Sequence, residues 1–292
     1  MVPAVKKIAI IPTLLTLGNA VCGFAAIAYA SKVDGTPATE AYFARSGWLI
    51  IAAMLFDALD GYVARLARSA SKFGGELDSL CDGVSFGLAP AFLLMRTGPG
   101  WEQPFLHRAL AGIAALYLVC ALLRLARFNV ESLVEPAGDR HRRADAPPHS
   151  ARRFRGLPSP GAAGCLASLA ILRGELAGMA TRWKWDLDLD VFRSGIEVWA
   201  TLGALVIALL MVSRVPYPHL TKQILRGRRH FSHLVQVIVA AFVLVLFREF
   251  ALVLVFWVYG LGVALRYAVI RSLRHDPFRA PAAPGVDDVR PR

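Results

Sequence analysis

Apolar residues in this 292-residue chain fall into long runs, and not into the one-sided helical pattern of a soluble protein. At about 1.5 Å per residue, a helix of about 20 residues crosses the hydrocarbon core of a membrane. Most of the runs approach that length, although the seventh is short. The first run begins at residue 8 and the second at about residue 47. The other six cover about 77–95, 108–128, 157–178, 197–213, 233–247 and 250–268.

The pattern predicts an all-α integral membrane protein with a bundle of about eight transmembrane helices, a six-helix core followed by two C-terminal helices. A hydrophobic content of 56% and a mean hydropathy of +0.49 agree with this class. The first run resembles a secretory signal, but it is too long and contains Pro12 and Asn19, so we expect an uncleaved span. Residues 1–272 form the predicted membrane domain, and the proline-rich segment 273–292 is predicted to be a disordered cytoplasmic tail.

The net charge of +12 is compatible with nucleic acid binding or with a membrane protein whose cytoplasmic loops are basic. The predicted outer segments hold nine of the 33 basic residues, so the rest lie on or near the inner face. We therefore predict a multi-pass protein of the inner (cytoplasmic) membrane with both termini in the cytoplasm, anionic lipids as partners and no nucleic acid partner. The nine are Lys32, Arg45, Arg96, Arg108, Arg173, Arg182, Lys184, Arg193 and Arg248.

Four carboxylates, on Asp57, Asp60, Asp78 and Asp82, lie in or beside two of these runs. A central Asp costs about 2.5–3.5 kcal/mol in a spanning helix, so four without compensation would cost on the order of 10 kcal/mol. Ionisable residues at this depth indicate a functional site, and a cation must offset their charge.

Helical spacing groups the polar residues of the second run. Asp57, Asp60, Gly61, Ala64 and Arg65 stand at i, i+3, i+4, i+7 and i+8, which places them on one face. The small residues leave room for a ligand and the arginine suits a phosphate. Helix packing for the small residues and neutralisation of an aspartate by the arginine are the alternatives, and the combined set favours a site.

Asp78 and Asp82 share a face of the next helix, and we expect Gly74-Gly75 to break the chain so that the two faces meet. A pocket of oxygen ligands suits Mg²⁺ or Mn²⁺ better than zinc. Four carboxylates can hold two ions about 3.5–4 Å apart, an arrangement used in phosphoryl chemistry.

The pattern Asp57-x2-Asp60-Gly61-x2-Ala64-Arg65-x8-Gly74-x3-Asp78-x3-Asp82 resembles the motif of the CDP-alcohol phosphatidyltransferase family at every specified position. The resemblance implies a membrane-embedded helical enzyme that uses divalent metal to displace CMP from a CDP-linked lipid or alcohol. It implies that the four aspartates are metal ligands and that Asp82 is also the general base. The implied CDP-binding residues are Gly61, Ala64, Arg65, Ser71, Gly74 and Asn19, although Asn19 has an interhelical hydrogen bond as its alternative role.

Flanking segments resemble the bacterial membrane-spanning phosphatidylserine synthases of this family, which implies CDP-diacylglycerol and L-serine as substrates and a homodimer. Candidates for serine binding are Arg124, Arg127 and Asn129, with membrane-surface snorkelling as the alternative for the arginines. The resembling segments are IPTLLTLGNAVCGF, DSLCDGVSFGLAPA, LYLVCALLRLARFNV, FRGLPSPGAAG and MVSRVPYP.

Two other functions stay open from the sequence. A transferase of the same family with glycerol 3-phosphate or an inositol phosphate as acceptor would need further basic residues at the pocket, which the basic loops offer. A divalent-cation transporter would use the aspartates to bind its cargo, but Arg65 would repel a cation and the acids cluster towards one face.

Overall fold

The computed structural model describes residues 10–34, 36, 39–66, 72–98, 104–133, 154–183, 189–213, 215–217 and 248–274. Its described part is helical apart from two strands of two residues each, which confirms the predicted all-α class. The elements are α1 (Ile10–Ala30), α2 (Ala41–Leu66), α3 (Lys72–Asp82), a π-helical segment (Gly83–Leu88), α4 (Ala89–Thr97), α5 (Pro104–Leu133), β1 (Phe154–Arg155), α6 (Ser159–Trp183), α7 (Leu189–Val212), β2 (Pro216–Tyr217) and α8 (Arg248–Arg274).

Five helical stretches in the described residues are long and apolar enough to cross a membrane, as expected for a multi-pass membrane protein. They are α1, the continuous rod of α3, the π-helical segment and α4, then α5, α7 and α8. Both α2 and α6 reach 25 residues or more, and their crossing stays a prediction. The predicted seventh span, about 233–247, lies outside the described residues, as do both termini.

Two local predictions are wrong. Gly74 and Gly75 lie inside α3 and do not break the chain, because the helix begins at Lys72 and the segment joining it to α2 is 67–71. Nothing lies within 4 Å of a Cβ built on Gly75, so no close packing requires a glycine there. Arg248 and Glu249 separate the last two apolar runs, which predicts a tight turn there, but they are the first residues of α8.

Helix α6 lies at the centre of the bundle. Residues 162–173 are all buried, and they border both apolar cores. Small side chains allow neighbouring helices to approach its backbone, as in other membrane bundles. A Cβ at Gly47 on α2 would lie 2.7 Å from the carbonyl oxygen of Ala167, so only glycine fits at this crossing.

Helices α1 and α2 pack as an antiparallel pair against α6. The Ser46 hydroxyl on α2 donates to the Ala26 carbonyl on α1 at 2.9 Å, deep in the pair. In the connection between them, the Asp34 carboxylate accepts hydrogen bonds from Thr36 and Thr39. These bonds lower the pKa of Asp34 to about 2 and fix the turn.

A buried ionic cluster lies at the end of the bundle where α2 begins, and it connects several elements there. Arg173 of α6 pairs with Glu197 of α7 at 2.8 Å and with Glu40, just before α2, at 3.2 Å. It also donates to the carbonyl of Thr97 at the end of α4 and lies over the Phe43 ring at 4.4 Å. The sequence placed Arg173 among outer-segment residues; the structure instead shows one cation linking four elements.

The π-helical segment that follows Asp82 is explained by a proline, Pro90, in the next turn of the helix. Pro90 has no N–H, so it cannot donate to the carbonyl of Phe86 as an α-helix would require. The Tyr117 hydroxyl of α5 donates to that carbonyl instead, at 3.1 Å. Ala89 N–H reaches back to Val84, five residues earlier, which widens the turn immediately after Asp82.

Two motifs that are distant in sequence meet at the start of α6. Strand β1 pairs antiparallel with β2, so FRGLPSPGAAG and MVSRVPYP lie side by side. Gly156 has φ of 91°, and a Cβ there would collide with the Met211 carbonyl oxygen, so this position requires glycine. The Gly156 N–H donates to the Val215 carbonyl at 2.9 Å and closes the junction.

Replacing Arg173 with alanine should destabilise the fold by about 3–5 kcal/mol, because Glu40 and Glu197 would remain buried without their cation. Thermal unfolding of the detergent-purified protein measures the loss. The matched control is Arg108→Ala, at an exposed arginine on α5, which should leave the melting temperature nearly unchanged. Equal melting temperatures for the two variants would contradict the role assigned to the cluster.

Candidate active site

Three of the four motif aspartates converge between α2 and α3. One carboxylate oxygen from each of Asp57, Asp60 and Asp78 lies within 4.8 Å of the other two. The i, i+3 spacing on α2 sets the first two side by side, and α3 packs across the end of α1 to bring the third. Three carboxylate oxygens this close together could share one divalent cation.

The donor set fits a divalent cation. Asp60 Oδ2 and Asp78 Oδ1 are buried and have no hydrogen-bond partner among the described residues. An unsatisfied buried polar atom costs about 1–3 kcal/mol, and more when charged. Carboxylate oxygens without histidine or cysteine favour Mg²⁺ or Mn²⁺. The cluster can therefore bind metal.

Asp82 lies four residues after Asp78 on α3, and a residue of α1 forms a hydrogen bond to its carboxylate. The Asn19 side-chain amide on α1 donates to Asp82 Oδ1 at 2.9 Å, and Asn19 is fully buried. The Ser85 hydroxyl donates to the Asn19 carbonyl at 2.9 Å. A Cβ on Gly23 would overlap Ser85, so α1 lies directly against the π-helical segment. Asn19 thus makes the interhelical bond weighed above, and its partner is a motif aspartate.

The predicted nucleotide face lies on the same end of α2. A Cβ on Gly61 would meet the Arg65 guanidinium at 3.4 Å and no other atom of the described residues within 4 Å, so these residues leave space beside that glycine. Ala64 is half-buried and Arg65 is exposed at the last turn. Gly74 lies in the first turn of α3, and Ser71 lies outside the described residues. Their assignment to CDP binding stays a prediction.

The three predicted serine-binding residues have different surroundings in the structure. Arg124 is partly buried, donates from Nη1 to the Ser159 hydroxyl of α6 at 2.8 Å, and interacts electrostatically with Asp82. Arg127 is exposed on α5. The Asn129 side-chain oxygen accepts a hydrogen bond from Ser79 of α3 at 2.9 Å, one residue after Asp78. Arg124 thus interacts with one motif aspartate, and Asn129 bonds to the residue that follows another.

Sequence reasoning missed several residues that position these groups. Ser79, Ser85 and Ser159 each donate to, or accept from, a predicted site residue. Ser159 lies in the quoted segment FRGLPSPGAAG, so its motif gave a usable signal. Ser79 and Ser85 lie in another quoted segment, DSLCDGVSFGLAPA, but their partners are 50 and 66 positions away, which no local pattern reveals.

Comparison with known protein families identifies the family to which this chain belongs. A model of the CDP-alcohol phosphatidyltransferase family matches residues 9–186, which includes all four aspartates and Arg124. The chain belongs to this family. It is therefore a membrane-bound transferase enzyme, and the family's use of divalent metal accords with the oxygen cluster on α2 and α3.

Relatives named CDP-diacylglycerol–serine O-phosphatidyltransferase are similar to this chain across several lineages. The protein of Helicobacter pylori strain J99 is 32% identical over 219 residues, which cover 75% of this chain and 76% of the relative. That of Mycobacterium leprae is 31% identical over 212 residues, covering 71% and 57%. That of Saccharomyces cerevisiae is 36% identical over 146 residues, covering 50% and 48%.

Replacing Asp78 with asparagine should weaken Mn²⁺ binding by tenfold or more, because one of three convergent charged ligands becomes neutral. The electron paramagnetic resonance signal of free Mn²⁺, titrated with purified protein, measures the affinity without turnover. Glu76→Gln is the matched control, since this exposed acid lies on the same helix two residues earlier. If both variants bind Mn²⁺ as the wild type does, the oxygen cluster is not the metal site.

Proposed function

We propose that this enzyme transfers the phosphatidyl group of CDP-diacylglycerol to the hydroxyl of L-serine, giving phosphatidylserine and CMP. The observation that carries the choice of substrates is similarity to a relative named for that reaction over three quarters of both chains. The charge bias supports a site that opens to the cytoplasm at the inner membrane. Water-soluble serine and CMP would then enter and leave directly.

The donor substrate would lie along α2 and α3. Asp57, Asp60 and Asp78, with Asp82 adjoining, would hold Mg²⁺ or Mn²⁺, one ion or a pair, and the bound metal would neutralise charge on the diphosphate and orient it. Arg65 would pair with a phosphate oxygen, while the open space at Gly61 would admit the nucleotide close to the backbone. The exposed apolar residues around the bundle leave the acyl chains free to remain in lipid.

Asp82 would be the general base. Its carboxylate lies beside the metal-binding oxygens and is oriented by the Asn19 amide, which supports a fixed position for proton transfer. Asp82 accepts the proton of the serine hydroxyl as that oxygen forms a bond to phosphorus. The bond from the same phosphorus to the CMP oxygen breaks, and CMP departs with the electron pair.

This route is a single direct displacement. It needs no covalent intermediate, because the acceptor oxygen itself attacks phosphorus while the leaving group departs in line. Isolation of a phosphatidyl-enzyme adduct would contradict it. The net change is one P–O bond formed and one P–O bond broken, with the released proton passing through Asp82 to water.

Arg124 would bind the carboxylate of serine. The guanidinium lies near Asp82, and its Nε is buried without a hydrogen-bond partner among the described residues. A free buried donor next to the proposed base suits a small anionic acceptor. Glycerol 3-phosphate or an inositol phosphate would carry a larger anion, and a transport role would not explain this arginine at the acids.

Purified enzyme with CDP-diacylglycerol, Mn²⁺ or Mg²⁺ and labelled serine should form phosphatidylserine and CMP in equal amounts, whereas labelled glycerol 3-phosphate should not react. Asp82→Asn should lower kcat by about 10²–10⁴, the usual contribution of a general base, with an unchanged melting temperature. Glu76→Gln serves again as the control. Turnover with glycerol 3-phosphate in place of serine would overturn the proposed acceptor.

Arg124→Lys should raise the KM for serine by about tenfold with little change in the KM for CDP-diacylglycerol, because lysine lacks the planar guanidinium that would place Nη1 on Ser159 and Nε on a carboxylate. Initial rates over a serine titration measure this. Arg127→Lys, at the exposed arginine three residues on, should change the serine KM less than twofold. The reverse order of effects would assign serine binding to Arg127.

A further inference from the structure

Helix α8 lies beyond the region matched by the family model, yet it packs directly against the catalytic bundle. Glycines on α6 and α7 make space for its aromatic side chains: a Cβ on Gly164 would overlap Phe256, and one on Gly203 would overlap Trp257. The Trp257 indole N–H donates to the Cys165 carbonyl at 3.1 Å. The position of α8 against α6 is therefore fixed by both steric fit and hydrogen bonding.

Tyr259 is the α8 residue that this docking brings to the start of α6. Its ring lies against Gly161, where a Cβ would meet the ring edge at 3.2 Å. Tyr217 of β2 packs edge-on against the same ring, with centroids 5.7 Å apart, and its hydroxyl donates to the Gly260 carbonyl at 2.7 Å. Contacts with Tyr217 on β2 and Gly161 on α6 thus fix the position of the Tyr259 ring.

Arg124 connects Tyr259 with the motif aspartates. Its guanidinium interacts electrostatically with the phenol of Tyr259 and with the carboxylate of Asp82. It also donates to Ser159, which stands two residues before Gly161 on α6. The Tyr259 ring, the Arg124 guanidinium and the Ser159 hydroxyl therefore lie near one another at the start of α6, where α5, α6 and α8 meet.

We propose that Tyr259 is a specificity-determining residue that binds the carboxylate of the acceptor together with Arg124. This inference rests on the proposed serine transfer. A carboxylate presents two oxygens, which the phenol O–H and the unpartnered Arg124 Nε–H can each engage. In the proposed function the diphosphate would lie on the α2 and α3 side of Asp82, so Tyr259 should affect the acceptor and not the donor.

Selectivity follows from the same contacts. A site built to hydrogen-bond one substrate group rejects an analogue that lacks it, because the protein donors are left without partners. L-serinamide keeps the hydroxyl and the amine but replaces the carboxylate by an uncharged amide. The wild type should therefore prefer L-serine to L-serinamide, and part of that preference should come from the Tyr259 hydroxyl.

The test compares Tyr259→Phe with the wild type. Phenylalanine keeps the ring contacts with Gly161 and Tyr217 and removes only the hydroxyl. We expect the serine KM to rise about tenfold, as for loss of a hydrogen bond to a charged group, and the ratio of kcat/KM for serine over serinamide to fall about tenfold. The KM for CDP-diacylglycerol and the melting temperature should stay unchanged.

Tyr267→Phe is the matched control, because Tyr267 is another partly buried tyrosine on α8, two turns further on. It should leave both ratios unchanged. A serine KM for Tyr259→Phe within twofold of the wild type, in an enzyme that does use serine, would overturn this inference alone. A joint loss of melting temperature and of affinity for both substrates would also overturn it, by assigning Tyr259 to packing. Failure of the wild type to use serine would overturn the proposed function and this inference together.

Discussion

Repulsion among the carboxylates of Asp57, Asp60 and Asp78 is the constraint on which the rest of this structure depends. Their oxygens lie within 4.8 Å of one another inside a membrane protein, where water cannot screen their charge. Without a cation, these buried carboxylates would have to bind protons or move apart. In the proposed function, metal and a nucleotide would reach the acids from water at one end of α2 and α3. The ligands of the reaction would then offset the cost of the charged cluster.

The opposite end of the bundle offsets its buried charges internally. There Arg173 contacts Glu40, Glu197 and the Thr97 carbonyl, so every charge in that cluster has a protein partner. Such a cluster stabilises one packing arrangement of α2, α4, α6 and α7. The two ends differ: Arg173 pairs the buried charges of Glu40 and Glu197 at one end, while at the other end Asp60 Oδ2 and Asp78 Oδ1 are buried without hydrogen-bond partners among the described residues. That difference is typical of a scaffold and the site that it supports.

Asp82 lies between two groups of residues to which the proposed function assigns separate tasks. On one side are the clustered oxygens of Asp57, Asp60 and Asp78 and the glycine face of α2. On the other are Arg124, Ser159 and Tyr259, from α5, α6 and α8. The π-helical turn that starts one residue later, and the Asn19 bond across to α1, fix Asp82 at this boundary. A base in that position can take a proton from an acceptor while the donor phosphate lies within reach of its oxygen.

The sequence by itself determined the helical class, the family and the face of α2, because helical spacing is local and the motif lies within 26 residues. It also predicted that charged residues at this depth would need a cation. Only the tertiary structure decided the partners of those residues. Asn19 reaches Asp82 across 63 positions, Arg124 reaches Ser159 across 35, and Tyr259 approaches Arg124 from a helix that carries no motif. Such contacts depend on how helices pack, which local periodicity does not specify. The expected break at Gly74-Gly75 failed for the same reason: glycine permits a bend, but the rest of the fold decides whether the helix continues.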